Sequence, residues 1–396
     1  MWEGHRRHLL FFPLRDSLFT SAPLRSNPTF GTHSKEKFLT LAGTLRNIGI
    51  NARDVPPCLL GLRVMKVALL HNSRPPGHSD LPDDSFEEYD APETIRAVAE
   101  ALRGLRVEVE SVEADRDLPR RLEAGGYAFA FNIAEGCGRR CREAIPAAVC
   151  ELLGIPFTGS DMLTLAVTLD KAAARRMVSP EVPVARAVLI DHQRDEARLE
   201  TLAYPVIVKP NDEGSSKGIR NNPVARTVQA AVDRARWLRE CYHCPVLVEE
   251  FLEGTEVTVG VAGNGDAVRV LGMMEIAPTI PEADWTYSLE VKRDWRRCVR
   301  YHVPPRLSPA TIAQLENYAL TAYGLLGCRD LARLDFRLDA AGAPHFLECN
   351  PLPGLNPESG DLVLLSQSKL PYEILVQGVL VDAARRCNVA LPNGHA

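Results

Sequence analysis

From Met65 onwards the spacing of apolar positions alternates between strand and helix periods. Met65-Lys-Val-Ala-Leu-Leu-His71 is a near-continuous apolar run, the pattern of a strand buried on both faces. Asp90 reads as an N-cap before Pro92 and Glu93, and a helical period then runs to Arg103, where Gly104 stops it. Further strands are expected over 107–112, 128–133 and 155–158, with helices over 118–123 and 143–153 between them. That order implies a small parallel sheet of Rossmann-like type. No Gly-x-Gly-x-x-Gly follows the first strand, which speaks against a dinucleotide site. Residues 161–177 read as one helix carrying Lys171, and Pro180 and Pro183 break the chain after it. Strands at 187–190 and 205–209 and a helix at 224–239 follow. The remainder predicts strands at 246–251, 256–262 and 268–276, a helix at 309–326 and a closing helix at 372–386.

One stretch of this remainder organises the rest. Arg333-Leu-Asp-Phe-Arg-Leu and His345-Phe-Leu-Glu-Cys-Asn350 read as two strands joined by a turn at Asp339 to Ala343. Side chains alternate faces along a strand, so Arg333 and Asp335 share one face, as do Glu348 and Asn350. Paired as a hairpin, the strands set Asp335 opposite Glu348 and Arg333 opposite Asn350. Leu334, Phe336 and Leu347 are then expected on the apolar face. Adjacent carboxylates repel unless a cation sits between them, and an oxygen donor set suits Mg²⁺ working with substrate phosphates. The same pattern also suits a surface hairpin with solvated charges.

Composition narrows the choices. A chain of 396 residues has room for two or three domains. A net charge of -5 offers no sign of nucleic acid or an anionic membrane as partner, and no apolar run is long enough to span a bilayer. The ten cysteines are scattered and read as reduced cytosolic thiols. Residues 1–64 differ from the rest, being basic and without sustained periodicity. They read as a disordered extension or as a stretch upstream of a true start at Met65.

Val206-Ile-Val-Lys-Pro-Asn-Asp-Glu-Gly-Ser-Ser-Lys-Gly218 is the strongest companion to the hairpin. A buried strand delivers Lys209 at its end, and a loop with Glu213, Gly214, Ser215 and Ser216 follows. Backbone N–H groups and hydroxyls in such a loop can surround phosphate oxygens, although its spacing is not that of a Walker loop. Lys171 is a second candidate cation. The strand ending in Glu249, Glu250 and Leu252 could meet an adenine through its backbone, with Glu256 near a ribose.

The combination, in order, resembles the ATP-grasp superfamily, and within it D-alanine–D-alanine ligase and its close relatives. Ile-Pro-Phe-Thr-Gly-Ser160, Leu-Asp-Lys171, Val-Lys-Pro-x-x-Glu-Gly-Ser-Ser216, Arg333-x-Asp335 and Glu-x-Asn-x-x-Pro-Gly354 carry the resemblance over residues 65–386. It implies a mixed α/β fold: a Rossmann-like N-terminal domain over 65–160, then a two-part ATP-grasp domain. Its central lid is expected over 161–245 and its catalytic part over 246–387, with a tail at 388–396. It further implies ATP as co-substrate and two Mg²⁺ ions, with Mn²⁺ as a substitute. By resemblance Lys171, Lys209, Glu213, Ser215, Glu249, Glu250, Leu252 and Glu256 bind ATP. Asp335, Glu348 and Asn350 hold metal. Arg333 and the Gly354 N–H receive the oxyanion, Lys292 and Ser216 belong to the closing loops, and Ser359 matches a serine that holds a substrate carboxylate. The resemblance also implies small amino-acid substrates, a cytoplasmic enzyme and a homodimer.

Three positions depart from the family pattern. Its early Glu has Glu87 and Glu88 as candidates here. Its His-Gly loop reads Asn132-Ile-Ala-Glu-Gly136, with Glu135 and no His, and the Tyr after the mobile-loop lysine is Arg293. The expected activity is therefore ligation of a carboxylate to an amine through an acyl phosphate, making a D-Ala–D-Ala-type dipeptide for peptidoglycan. Two alternatives stand beside it: a ligase of the same mechanism for another pair, and a nucleotide-binding protein without catalysis.

Overall fold

The computed structural model describes residues 64–74, 82–138, 140–220, 223–281, 284–367 and 369–392. The expectations for residues 1–63 lie outside that range. From Val64 onwards the chain forms one compact unit.

Three sheets build it. The first is parallel, in the order β2-β1-β3, from β1 (Lys66–His71), β2 (Glu108–Glu113) and β3 (Phe129–Asn132). Helices α1 (Pro92–Arg103), α2 (Leu118–Gly125) and α3 (Ala144–Leu153) connect and flank these strands. Val67, Leu69 and Phe129 pack into one core and Ala68, Leu70 and Ala130 into another. The central strand therefore buries both faces, as its unbroken apolar run implies. Residues 155–158 form a single bridge, Ala130 to Phe157, rather than a fourth strand, because Gly159 turns the chain away at φ 87°. Ala91, not Asp90, is the N-cap of α1.

Residues 161–177 divide into α4 (Met162–Leu169) and α5 (Lys171–Val178). Asp170 interrupts them in extended backbone, and its side chain accepts from Ala173 N. Lys171 thus stands on the first turn of a new helix. The second sheet is antiparallel, order β4-β7-β5-β6, from β4 (Ala187–Ile190), β5 (Val206–Pro210), β6 (Val224–Ala225) and β7 (Val246–Glu250). The helix expected from 224 begins later, as α6 (Val228–Tyr242), capped by Thr227. β7 pairs between β4 and β5, so residues 246–250 belong to this sheet.

The third sheet is antiparallel, order β10-β9-β8-β11-β12. Its strands are β8 (Glu256–Ala262), β9 (Arg269–Pro278), β10 (Val299–His302), β11 (Leu331–Leu338) and β12 (Pro344–Asn350). Helices α7 (Leu289–Arg293), α8 (Trp295–Cys298), α9 (Pro309–Leu325), α10 (Asp361–Ser366) and α11 (Tyr372–Arg386) complete the unit. α7, α8, α10 and β10 are too short to carry a period in the sequence.

The hairpin has the expected register: Arg333 opposite Asn350 and Asp335 opposite Glu348. A bulge then intervenes, and Phe336 pairs with Phe346 instead of Leu347. Phe346 takes the core position beneath the sheet, edge to face with Phe336 at 5.9 Å. Leu347, expected on the apolar face, instead lines the cleft on the other side. A bulge inserts one residue and re-aims the side chain beside it.

Candidate active site

The second and third sheets face each other across a cleft of about 960 Å³, counting its open mouth. Ile207, Leu252, Ile276 and Leu347 give it an apolar slot, and Lys171, Lys209, Lys292, Asp335 and Glu348 line its polar part. β5 brings Lys209 to the cleft at 6% exposure, where its Nζ lies 2.9 Å from Glu249 Oε1. Arg175 of α5 approaches Glu249 Oε2 at 3.4 Å. Against the desolvation that burial imposes, Arg175 and Lys209 hold the Glu249 carboxyl below its ordinary range. Glu249 therefore turns inward and fixes a lysine. Its neighbour Glu250 accepts a hydrogen bond from Ala203 N at 2.8 Å. Glu256 lies 3.5 Å from Arg337, and burial, partly offset by that guanidinium, pushes it up to about 7.

The hairpin forms the opposite wall. Arg333 donates to Asp335 through Nε and Nη2 at 2.9–3.2 Å and to Asp361 through Nη1 at 2.7 Å. Thr258 Oγ1 donates to Asp335 Oδ1 at 2.9 Å, and Asn350 Nδ2 donates to Asp335 Oδ2 at 3.2 Å. Glu348 meets Lys171 Nζ at 3.2 Å. Burial raises Asp335 despite Arg333, whereas against the same desolvation Lys171, Lys209 and Arg333 hold Glu348 at about 2. The hairpin thus presents two carboxylates and an amide side by side, with cations at both ends. The two carboxylates fit Mg²⁺, and Asn350, whose Nδ2 donates to Asp335, would offer the ion its Oδ1.

A second cavity opens beside the cleft. Gly214, Ser215, Lys292, Arg333 and Asp361 line both. Glu135, Glu143, Asp90 and Glu88 come to it from the loops beside the first sheet, Asn350 from the end of β12, and Gly354 and Ser359 from the loop beyond it. Ser359 is exposed there and donates to Asn356 Oδ1 at 3.1 Å.

The loop after Lys209 is held against the N-terminal part. Ser215 and Ser216 adopt left-handed backbone, φ 50° and 60°. Ser216 Oγ donates to Tyr287 O at 2.9 Å, and Lys292 Nζ donates to Ser215 Oγ at 3.4 Å. Gly214 N donates to Glu88 Oε1 at 2.7 Å, and a Cβ on Gly214 would collide with that oxygen. Glu88 also receives Arg142 and Lys217, each at 2.8 Å. Glu213 pairs with Arg142 at 3.2 Å and with Lys217, while its backbone carbonyl accepts from Lys171 Nζ. Arg293 reaches Glu87 at 2.6 Å and Asp83 at 2.9 Å.

All the sequence-predicted residues therefore line one of the two cavities. Glu249 and Glu213 do so as partners of Lys209 and of Lys217 and Arg142. Sequence reasoning missed Arg175, Arg142, Glu143, Thr258 and Asp361, none of which stands in a motif. Among the described residues no helix is long and apolar enough to cross a membrane.

Three sheets with a cleft between the second and third, crossed by a serine-rich loop, define an ATP-grasp ligase. The family model described as D-ala D-ala ligase C-terminus matches residues 179–381. A D-alanine–D-alanine ligase of Polaromonas naphthalenivorans (strain CJ2) is 33% identical over 294 residues, covering 72% of this chain and 87% of that protein. The chain belongs to the D-alanine–D-alanine ligase family. Among solved structures, D-alanine–D-alanine ligase of Bacillus anthracis complexed with ATP aligns with a TM-score of 0.63 at 20% identity, over 82% of this chain and 99% of that one. VanG D-Ala:D-Ser ligase of Enterococcus faecalis gives 0.63 at 20% identity, over 81% and 100%. The protein is thus an ATP-dependent ligase that forms a peptide bond.

Proposed function

We propose that the chain activates the carboxylate of one amino acid with ATP and joins it to the amine of a second, making a D-Ala–D-Ala-type dipeptide for peptidoglycan. The meeting of the two cavities at Ser215, Lys292 and Arg333 carries this reading. A nucleotide in the cleft and an amino acid in the second cavity then approach each other at these side chains.

A carboxylate is a poor acylating agent because its oxygen is a poor leaving group. Transfer of the γ-phosphoryl group to that oxygen breaks the bond to ADP and yields an acyl phosphate. That step needs charge neutralisation and in-line positioning. Lys171, Lys209 and Lys292 supply positive charge, and Glu213, Ser215 and Ser216 set the loop that covers the phosphates. The apolar slot takes the adenine beside Glu250 and Leu252, and Glu256 accepts from the ribose. Glu249 positions Lys209. Asp335, Glu348 and Asn350 would hold Mg²⁺, which neutralises phosphate charge when bound. The amine then attacks the acyl carbon, and phosphate leaves as the peptide bond forms. Arg333 and the Gly354 N–H stabilise the oxyanion between those events; losing one such donor costs about 3–4 kcal/mol. Glu88 and Glu135 face the amino group of a substrate and Ser359 its carboxylate. Because an acyl phosphate hydrolyses in water, the Glu88–Gly214 contact serves catalysis by keeping the loop closed. The enzyme is read as cytoplasmic and, on family resemblance, homodimeric.

Phosphate release from MgATP across D- and L-amino acids and hydroxy acids tests this. D-alanine-dependent release supports the dipeptide reading, release only with other pairs moves it to another ligase of the same mechanism, and ATP binding without release under any pair overturns it.

A further inference from the structure

The N-terminal wall of the second cavity is more acidic than one substrate ammonium requires. One carboxylate oxygen from each of Glu88, Glu135 and Glu143 lies within 4.8 Å of the other two. Glu88 already has two cations, Arg142 and Lys217, together with the Gly214 N–H. Glu135, Glu143 and Asp90 have no ion pair or side-chain hydrogen bond among the described residues. Glu143 is only 8% exposed and lines the cavity. It comes from the last turn before α3, whose end is fixed on the apolar floor by Ala144 and Ala147. A buried, unpartnered carboxyl is costly unless a cation comes to it.

We infer that one of the two amino acids joined here carries a second, side-chain amino group, and that Glu135 and Glu143 hold it. This rests on the reading of the second cavity as the amino-acid site. Alanine brings one ammonium, which Glu88 and Glu135 face, and a methyl group, which leaves Glu143 facing nothing. An ammonium on a short chain answers Glu135 and Glu143 with charge-assisted hydrogen bonds. Arg142 and Lys217 already answer the charge of Glu88, so Glu135 and Glu143 are the carboxyls left to an incoming cation. The position also suits a substrate group, since the same cavity reaches Arg333 and Lys292. Without a cation, burial raises Glu135 well above the ordinary carboxylate range, with Glu143 and Glu88 adding to it. Burial pushes Glu143 up to about 7 even with Arg142 beside it. Asp90, on the same wall, is pushed up to about 7 by burial. These carboxyls are poised to ionise when an ammonium arrives.

The test compares the wild-type enzyme with MgATP on matched pairs: 2,3-diaminopropionate against 2-aminobutyrate, 2,4-diaminobutyrate against norvaline, and ornithine against norleucine. Both enantiomers are used, each alone and with D-alanine. A site built to pair a polar group rejects the analogue that lacks it, so kcat/KM for at least one diamino acid should exceed its neutral isostere by about 100-fold or more. Glu143→Gln should collapse that ratio to within about tenfold. Equal kcat/KM within each pair, with D-alanine turned over, would overturn this inference and leave the ligase reading standing. Failure of every amino acid, neutral or cationic, would remove the ligase reading and this inference with it. Stoichiometric Mn²⁺ binding to nucleotide-free protein, lost in Glu143→Gln, would assign the cluster to a metal and overturn the inference as well.

Discussion

Arg333 spans two carboxylates from different elements: Nη1 donates to Asp361 Oδ2 at 2.7 Å while Nε and Nη2 grip Asp335. Asp361 opens α10, so this ion pair ties the hairpin to the loop that carries Gly354. Asp361→Asn should leave the fold and the nucleotide site intact but loosen the guanidinium. The expected loss is at least tenfold in kcat, about 1.4 kcal/mol, with KM for ATP changed less than threefold. Steady-state kinetics with both substrates varied measures it, and an unchanged kcat would contradict it.

Lys209 reaches the cleft because Glu249 makes its burial tolerable, and Arg175 is a second buried cation on the same carboxylate. Glu249→Gln leaves two buried cations facing a neutral amide. Removing one partner of such a group typically costs about 3–5 kcal/mol. Urea unfolding should show a loss of that order together with weaker ATP binding, whereas a loss below about 1 kcal/mol would mean that solvent already reaches these groups.

Glu88 is expected to govern the loop at Gly214. Its carboxyl is held at about 2, below its ordinary 4.5, because Arg142 and Lys217 outweigh its desolvation. The stabilisation is therefore fully present above pH 4.5 and is lost as pH falls through about 2. Hydrogen exchange of residues 214–218, corrected for intrinsic rates, should show constant protection from pH 8 to 5. In Glu88→Gln it should quicken about tenfold or more, since a buried charged acceptor is lost. Unchanged protection in the variant would show that the loop is closed by other contacts.

Glu256 carries the opposite shift. Burial raises it to about 7, with Arg337 and Lys209 opposing and Asp335 and Glu348 adding to the rise. The folded state favours the neutral acid, and stability linked to this group is lost as pH rises through 7. The ionised form is the better acceptor for ribose hydroxyls. Adenosine, uncharged in this range, should inhibit more strongly as pH rises from 6 to 8, and Glu256→Gln should flatten that profile. A wild-type profile already flat would contradict the contact.

Much of this was legible because local pattern and site coincide. The alternation in Arg333-Leu-Asp-Phe and Glu348-Cys-Asn led directly to the observed register, and Lys209 ends a strand whose apolar run is unambiguous. Leu347 was misassigned because a bulge breaks the period of two, and nothing in its own side chain announces one. Asp361 stands 28 residues from Arg333 in a short helix without periodicity, so only the fold brings them together. Arg142 and Glu143 were missed for a similar reason. They belong to a helix start that looks like any solvated turn until the loop from Gly214 folds over it. The helical reading of residues 161–177 overlooked that Asp170 could serve as a cap within it.

The central claim is that the hairpin and the two cavities around it bring a substrate carboxylate to the γ-phosphate of ATP. Transfer of ¹⁸O tests this most directly. The amino acid that supports turnover is labelled in both carboxylate oxygens, and the released phosphate is analysed by mass spectrometry. Passage through an acyl phosphate leaves one ¹⁸O in each phosphate, and Glu348→Ala should nearly abolish its formation. Phosphate released at the wild-type rate without label would contradict the claim.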